Sequence, residues 1–149
     1  MPKKLLILLL FLSPFCMNSQ NVIWKTDIND AVAVSAEKRK PLLIFFTAQG
    51  VNPQLQNEIF STRDFEEWAR KNVILLKLDL SDPTASETVK EQNLRLKNAF
   101  GIEDIPQVCF SEVAVRKGKT SFNKLGLIAY KASGVKNWIS ESNSILNPE

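Results

Sequence analysis

The chain has 149 residues, of which 44% are hydrophobic and 23% are charged. This composition is typical of one globular domain and excludes a disordered or fibrous chain. The formal net charge of +3 falls to +1 if Lys3 and Lys4 leave with a cleaved leader, too little to predict a nucleic-acid partner. The sequence contains no histidine, which excludes Ser-His-Asp and Cys-His catalytic sites and histidine-ligated metals.

Residues 1–19 have the pattern of a secretory signal peptide. Lys3 and Lys4 precede an unbroken apolar run, residues 5–12. That run is too short to cross a membrane as a helix. We therefore predict that residues 20–149 form a domain that is exported and is either periplasmic or secreted.

Cys16 supports an alternative for the amino terminus, a lipoprotein acylated on that residue. Phe15 stands where such sites normally have a small residue, so the soluble exported form is favoured. We expect membrane contact only for the lipidated form. Once the leader is removed, Cys109 is the single cysteine, and the domain can form neither an internal disulfide nor a cysteine-rich zinc site. We expect no metal site and no cofactor.

The first third of the mature chain predicts helix, strand and helix. A helix begins at a cap on Thr26 or Asp27 and ends near Arg39, with apolar residues at helical spacing. Residues 42–46 are wholly apolar, which is typical of a central strand covered on both faces. Residues 52–53 open a second helix, with proline in the first turn, where its missing N–H costs nothing.

The middle of the chain alternates between helix and strand. A helix that directs Phe65 and Trp68 inward ends at Asn72, and residues 73–80 form a second aliphatic strand. A polar loop leads into a further helix over residues 87–100. The candidate buried residues of this helix are Val89, Leu94, Leu96 and Phe100.

The last third predicts a hairpin and a final helix. A strand begins at residues 107–110, residues 116–119 form the turn, and residues 125–130 form the partner strand. A helix carrying Trp138 inward follows. Two strands joined through a helix imply a parallel central pair, to which the hairpin adds antiparallel strands. The predicted fold is α/β, a central mixed sheet flanked by helices on both faces, which is the thioredoxin architecture.

Several short sequence features support the same fold. They are Trp24, residues 40–41 before the apolar strand, residues 58–61, residues 93–102 and residues 105–106. In this order and spacing they resemble exported thioredoxin-like proteins, which are related to disulfide-bond reductases and to the carboxy-terminal domain of the DsbD type. The resemblance covers residues 24–146.

That family carries Cys-x-x-Cys at the start of the helix after the first strand, where the helix N-terminus stabilises a thiolate. No cysteine lies between residues 17 and 108 of this chain. Many thioredoxins also hold a buried acid in the first strand, and the matching position is near Phe45. Counted back from Phe60, the family spacing assigns the motif to Gln49, Gly50, Val51 and Asn52.

The resemblance retains one feature of the family site. Pro106 matches the proline that is cis in thioredoxins and faces the active-site loop, and Ile105 before it presents backbone groups to an extended peptide. An equally weighted alternative is that the fold itself needs this turn. Gln49 and Asn52 are either ligands for an anion at the helix N-terminus or simple helix caps, and caps are more common.

Two functions follow from these observations. The first is a redox-inactive module in the cell envelope that binds an extended peptide or a protein partner near Pro106. The alternative is a thiol–disulfide oxidoreductase that acts through Cys109, paired with a cysteine of another chain. Cys109 lies in an apolar strand, where a free cysteine usually behaves as a small core residue, so the first function is favoured. A structural paralogue without a ligand groove is the third alternative.

Overall fold

The computed structural model describes residues 22–149, so the predicted signal peptide and Cys16 lie outside the described residues. Within the described part, none of the helices has the length and hydrophobicity needed to cross a membrane. The elements in chain order are α1 (Ile28–Lys38), β1 (Leu42–Thr47), α2 (Leu55–Phe60), α3 (Arg63–Asn72), β2 (Ile74–Asp79), α4 (Glu87–Ala99), β3 (Gln107–Arg116), β4 (Lys119–Ile128) and α5 (Val135–Leu146).

The strands form one four-stranded sheet in the order β2-β1-β3-β4. β1 and β2 are parallel and are connected through α2 and α3, whereas β3 is antiparallel to both β1 and β4. On the outer side of β2, Lys25 forms an isolated parallel bridge with Leu76. The predicted mixed sheet, with a parallel central pair and an antiparallel hairpin, is confirmed.

β1 lies inside the sheet, and all six of its residues are buried. Successive side chains of a strand point to opposite faces. Leu43 and Phe45 therefore pack against α2, α3 and α5, while Ile44 and Phe46 pack against α1 and α4. The result is one hydrophobic core on each face of the sheet, which confirms the predicted helices on both faces and explains the wholly apolar run.

Side-chain caps fix where three of the helices begin. Asp27 Oδ1 accepts a 3.0 Å hydrogen bond from the N–H of Asp30 at the start of α1. Thr62 caps α3 and Ser86 caps α4 in the same way. Each cap satisfies a backbone donor that the first turn leaves without a helical partner. Arg39 is the C-cap of α1, and its φ of 53° turns the chain directly into β1.

Two helices differ in detail from the prediction. α2 is a π-helix, in which the N–H of Ser61 donates to the C=O of Gln56, five residues earlier, at 3.0 Å. In α4 the prediction that Leu94 is buried is wrong, because this side chain is 51% exposed and Asn93 is buried instead. Leu96 lies three residues after Asn93, on the same helical face, and that face packs on the sheet.

The hairpin is longer than the prediction. β3 continues to Arg116 and β4 begins at Lys119, so the predicted partner strand, residues 125–130, covers only the end of β4. The turn between them consists of Lys117 and Gly118, with φ values of 51° and 74°. Two consecutive positive φ values match the twist of the flanking strands and allow pairing up to the turn itself.

Candidate functional site

The loop between β1 and α2 carries the four residues predicted to replace the redox motif. Gln49 and Gly50 are exposed, and Gly50 adopts a φ of 82°, a conformation that glycine takes without strain. The backbone N–H of Gln49 donates to Ser81 Oγ at 2.6 Å. Asn52 accepts from the N–H of Gln54 at 3.0 Å and donates to its side chain at 2.9 Å. These bonds close a local turn at Asn52, just before α2.

A second loop, which follows β2, fixes the position of the first. Asp79 Oδ1 accepts from both the N–H and the Oγ–H of Ser81, at 2.9 and 2.7 Å. The N–H of Leu80 donates to the C=O of Thr47 at 2.8 Å. Asp79 and Ser81 were not predicted as supports of the site. Their Asp-x-Ser spacing directly after a strand is a turn signal that indicates this arrangement.

Ile105 and Pro106 lie at the same end of the sheet as the loop. The peptide bond between them is cis. Phe46 pairs with Gln107 in the antiparallel ladder, and this register, extended by one residue, places Pro106 opposite Thr47. Because Thr47 leads directly into the loop, the fold places residues 49–52 and 105–106 at the same end of the sheet. Both Ile105 and Pro106 are half-buried.

Cys109 does not belong to this group. It pairs with Ile44 in the middle of the sheet, and its side chain lies in the core beneath α1 and α4. The residue is 0% exposed. Its thiol contacts the C=O of Phe110 at 3.7 Å, as a weak sulfur hydrogen bond. Burial raises the pKa of the Cys109 thiol to about 12, so the side chain is a neutral thiol at physiological pH.

Aromatic rings fill the core around Phe45, near the strand position at which the family often has a buried acid. Phe45 contacts the ring of Trp24, with 6.0 Å between centroids, and the ring of Phe60, at 4.9 Å. Trp138 closes the other side of the group and is 1% exposed. We call these rings the aromatic cluster; its members are Trp24, Phe45, Phe60, Phe65, Trp68, Phe110 and Trp138.

A further polar contact lies beside the candidate loop and was not predicted. The phenol of Tyr130, after β4, donates a short hydrogen bond to Glu58 Oε2 on α2. This bond, with a smaller contribution from burial, raises the pKa of Tyr130 because it favours the protonated phenol. Neither residue stands out in the sequence, since the two are far apart along the chain and meet only through the packing of α2 and the end of β4.

The described residues offer no conventional metal centre, and two well-formed grooves among them lie away from the loop. Within residues 22–149, no cluster of three or more His, Cys, Asp or Glu side chains is placed to hold an ion. Two grooves, of about 370 and 740 Å³, are lined by residues of α1, α3, the start of β2 and the β3–β4 hairpin. Residues 49–52 and 105–106 line neither of them.

Comparison of the sequence with known proteins gives a weak but consistent relationship. No family model matches the chain. The thioredoxin-related protein DsbJ of Chlamydia pneumoniae is 25% identical over 93 residues, which is 60% of this chain. The matched stretch spans only 27% of the length of DsbJ.

Comparison of the structures supports the fold over most of the chain. A DsbH oxidoreductase superposes with a TM-score of 0.71 and 19% identity, covering 87% of each chain. A thioredoxin from Thermus thermophilus superposes with a TM-score of 0.61 and 11% identity, covering 84% of this chain and 87% of the other. The chain therefore has the thioredoxin fold and is homologous in sequence to a thioredoxin-related protein of the Dsb type.

Proposed function

We propose that the chain is a redox-inactive thioredoxin-like domain of the cell envelope that holds an extended peptide or a protein partner beside Pro106. The observation that carries this proposal is the makeup of the loop at the same end of the sheet as Pro106. Its four residues, 49–52, include no thiol, while the described cysteine is 0% exposed in the core. Similarity to Dsb-type proteins and the leader-like residues 1–19 support an exported location, periplasmic or secreted.

The surface beside Pro106 has groups that suit an extended peptide. Within residues 22–149, the backbone N–H and C=O of Ile105 form no hydrogen bond. They precede β3, whose ladder with β1 begins at Gln107. An extended segment can pair with such backbone groups while its side chains contact the loop. Val51 is half-buried in that loop and provides an apolar contact surface.

The competing function, a thiol–disulfide oxidoreductase acting through Cys109, is opposed by the surroundings of that residue. Disulfide exchange begins with attack by a thiolate. Burial raises the pKa of the Cys109 thiol to about 12, and the side chain is 0% exposed. A partner cysteine would have to pass α1 or α4 to reach it. These features match an inert core cysteine.

Binding can be tested with an unfolded polypeptide that lacks free thiols, such as reduced and carboxymethylated lactalbumin. We expect amide chemical shifts of the ¹⁵N-labelled chain to move at residues 49–52 and 105–107 and to stay fixed along α5. Val51→Asp should weaken binding by about fivefold, or roughly 1 kcal/mol. Ala132→Asp, an exposed change elsewhere, serves as the matched control. Shifts confined to another surface, or equal weakening by both variants, would contradict the proposal.

A further inference from the structure

The amino-terminal ends of β1 and β2, opposite the candidate loop, collect basic side chains from several elements. α1 ends at Lys38, and Arg39 and Lys40 follow directly before β1. α3 closes with Arg70 and Lys71 in its last turn. Lys40 Nζ donates to the C=O of Arg70 at 2.8 Å, which ties these two helix ends together. All five side chains except the half-buried Lys40 are exposed.

The β3–β4 hairpin adds three more cations at the same end. β3 pairs with β1 only as far as Ser111, so the rest of the hairpin extends past the start of β1. Its residues Glu112 and Asn123 line one groove together with Arg39. The exposed cations Arg116, Lys117 and Lys119 lie at or beside the hairpin turn. We call these three and the five at the helix ends the basic pole.

In the described part of the chain, none of the cations of the basic pole is held in an ion pair with an acid. Glu37 and Glu112 are the acids that line the two adjacent grooves. At the opposite end, the acids Asp79 and Asp82 follow β2. The small net charge of the chain therefore does not exclude a local cluster of unpaired cations at one end of the sheet.

The chain also enters the domain at the basic pole. Val22 and Ile23 line the larger groove beside Lys38 and Arg70. Ile23 is 79% exposed. Its apolar side chain lines the same groove as Lys38 and Arg70. Cations that surround exposed apolar side chains form the combination that binds the headgroup region of a membrane.

We propose that the basic pole docks on an anionic phospholipid surface. The eight cations contact lipid phosphates, Ile23 contacts the boundary of the acyl chains, and the candidate loop at residues 49–52 faces the aqueous compartment. This orientation leaves the surface beside Pro106 accessible to a soluble partner. Duplex nucleic acid also carries phosphates, but it gives no role to the exposed apolar side chain of Ile23.

Vesicle co-sedimentation of the mature chain, residues 20–149, tests the proposal, with phosphatidylcholine vesicles that either contain or lack phosphatidylglycerol. We expect the wild type to prefer the anionic vesicles. The triple variant Arg116→Glu, Lys117→Glu and Lys119→Glu should lose about tenfold or more in affinity for them. A second variant, Lys38→Glu with Lys71→Glu, should also bind more weakly. Because its changes lie outside the hairpin, its loss of affinity cannot result from a folding defect in the hairpin.

The matched control changes the net charge equally at exposed positions away from the basic pole. It is Arg63→Glu, Arg95→Glu and Lys136→Glu, which should leave affinity within about twofold. Circular dichroism verifies that every variant is folded. Equal loss in the control, equal binding of the wild type to both kinds of vesicle, or tighter binding to duplex DNA than to anionic vesicles at the same salt concentration would overturn the proposal.

Discussion

The ring of Phe45 in β1 packs edge-on against the ring of Phe60 at the end of α2, with 4.9 Å between the two centroids. This contact lies directly below the loop that carries the redox motif in the family. A buried acid at this strand position would need water or a polar partner to be tolerated. The aromatic cluster supplies neither, so the surroundings of Phe45 are ordinary hydrophobic core. The packing agrees with a loop that has no thiolate to support.

Restoring an acid at Phe45 should therefore destabilise the domain. We expect Phe45→Asp to lower the free energy of unfolding by about 4 kcal/mol or more, because it removes a buried ring and places a carboxyl group among apolar side chains. Phe45→Leu keeps the site apolar and should cost about 1.5 kcal/mol. Urea denaturation measures both. Equal stability of the two variants would show that the site still accommodates an acid.

Burial of Cys109 predicts how stability changes at alkaline pH. Burial raises its pKa from 9.0 to about 12, so the unfolded chain loses this proton first as the pH rises. Between these two values the free energy of unfolding should fall by up to ~1.4 kcal/mol per pH unit. Cys109→Ala removes this contribution and serves as the reference in parallel denaturation curves. Identical slopes for the two proteins would mean that the thiol is not buried.

Tyr130 provides a spectroscopic test of the contact between α2 and the end of β4. It is the single tyrosine of the chain, so its ionisation can be followed by ultraviolet difference spectroscopy. The hydrogen bond to Glu58 raises the pKa of Tyr130 above its ordinary value of 10.0. Glu58→Ala should return the titration toward that value. A titration that does not move in the variant would show that the two side chains do not interact in solution.

Gly126 tests the packing of α5 on β4. A Cβ atom at this position would lie 2.9 Å from Cγ2 of Ile145, closer than carbon atoms can approach without a shift. Gly126→Ala should therefore lower the free energy of unfolding by about 1–3 kcal/mol. In a double-mutant cycle, Ile145→Ala should relieve much of this cost, since it removes the atom in the way. Additive effects of the two changes would count against this contact.

The sequence was sufficient to predict the fold because the strongest local patterns agree with it. The unbroken apolar run of β1 predicts a strand covered on both faces, and the structure places helices on both. The position of Leu94 was mistaken because helical spacing alone does not say which of two neighbouring faces meets the sheet. The turn at residues 116–119 was predicted, but the length of β4 was missed because residues 119–124 are mostly polar and exposed, so no apolar alternation indicates a strand there.

Only part of the candidate site could be predicted from the sequence. The order of marks placed residues 49–52 and 105–106, and the strand register brings the two segments to one end of the sheet. The support from Ser81 and the contact between Tyr130 and Glu58 depend on loops that are distant in sequence. The basic pole could not be predicted from the net charge, because net charge is a sum over the chain and carries no information about where the charges lie.

Reduction of insulin by dithiothreitol, followed by turbidity, tests most directly the claim that this thioredoxin fold no longer performs disulfide exchange. The full-length chain, its Cys109→Ala variant and a thioredoxin with an intact Cys-x-x-Cys motif should be compared at equal concentration. We predict that the wild type and the variant precipitate insulin no faster than dithiothreitol alone, while the intact thioredoxin accelerates it. Acceleration by the wild type that disappears in Cys109→Ala would contradict the account.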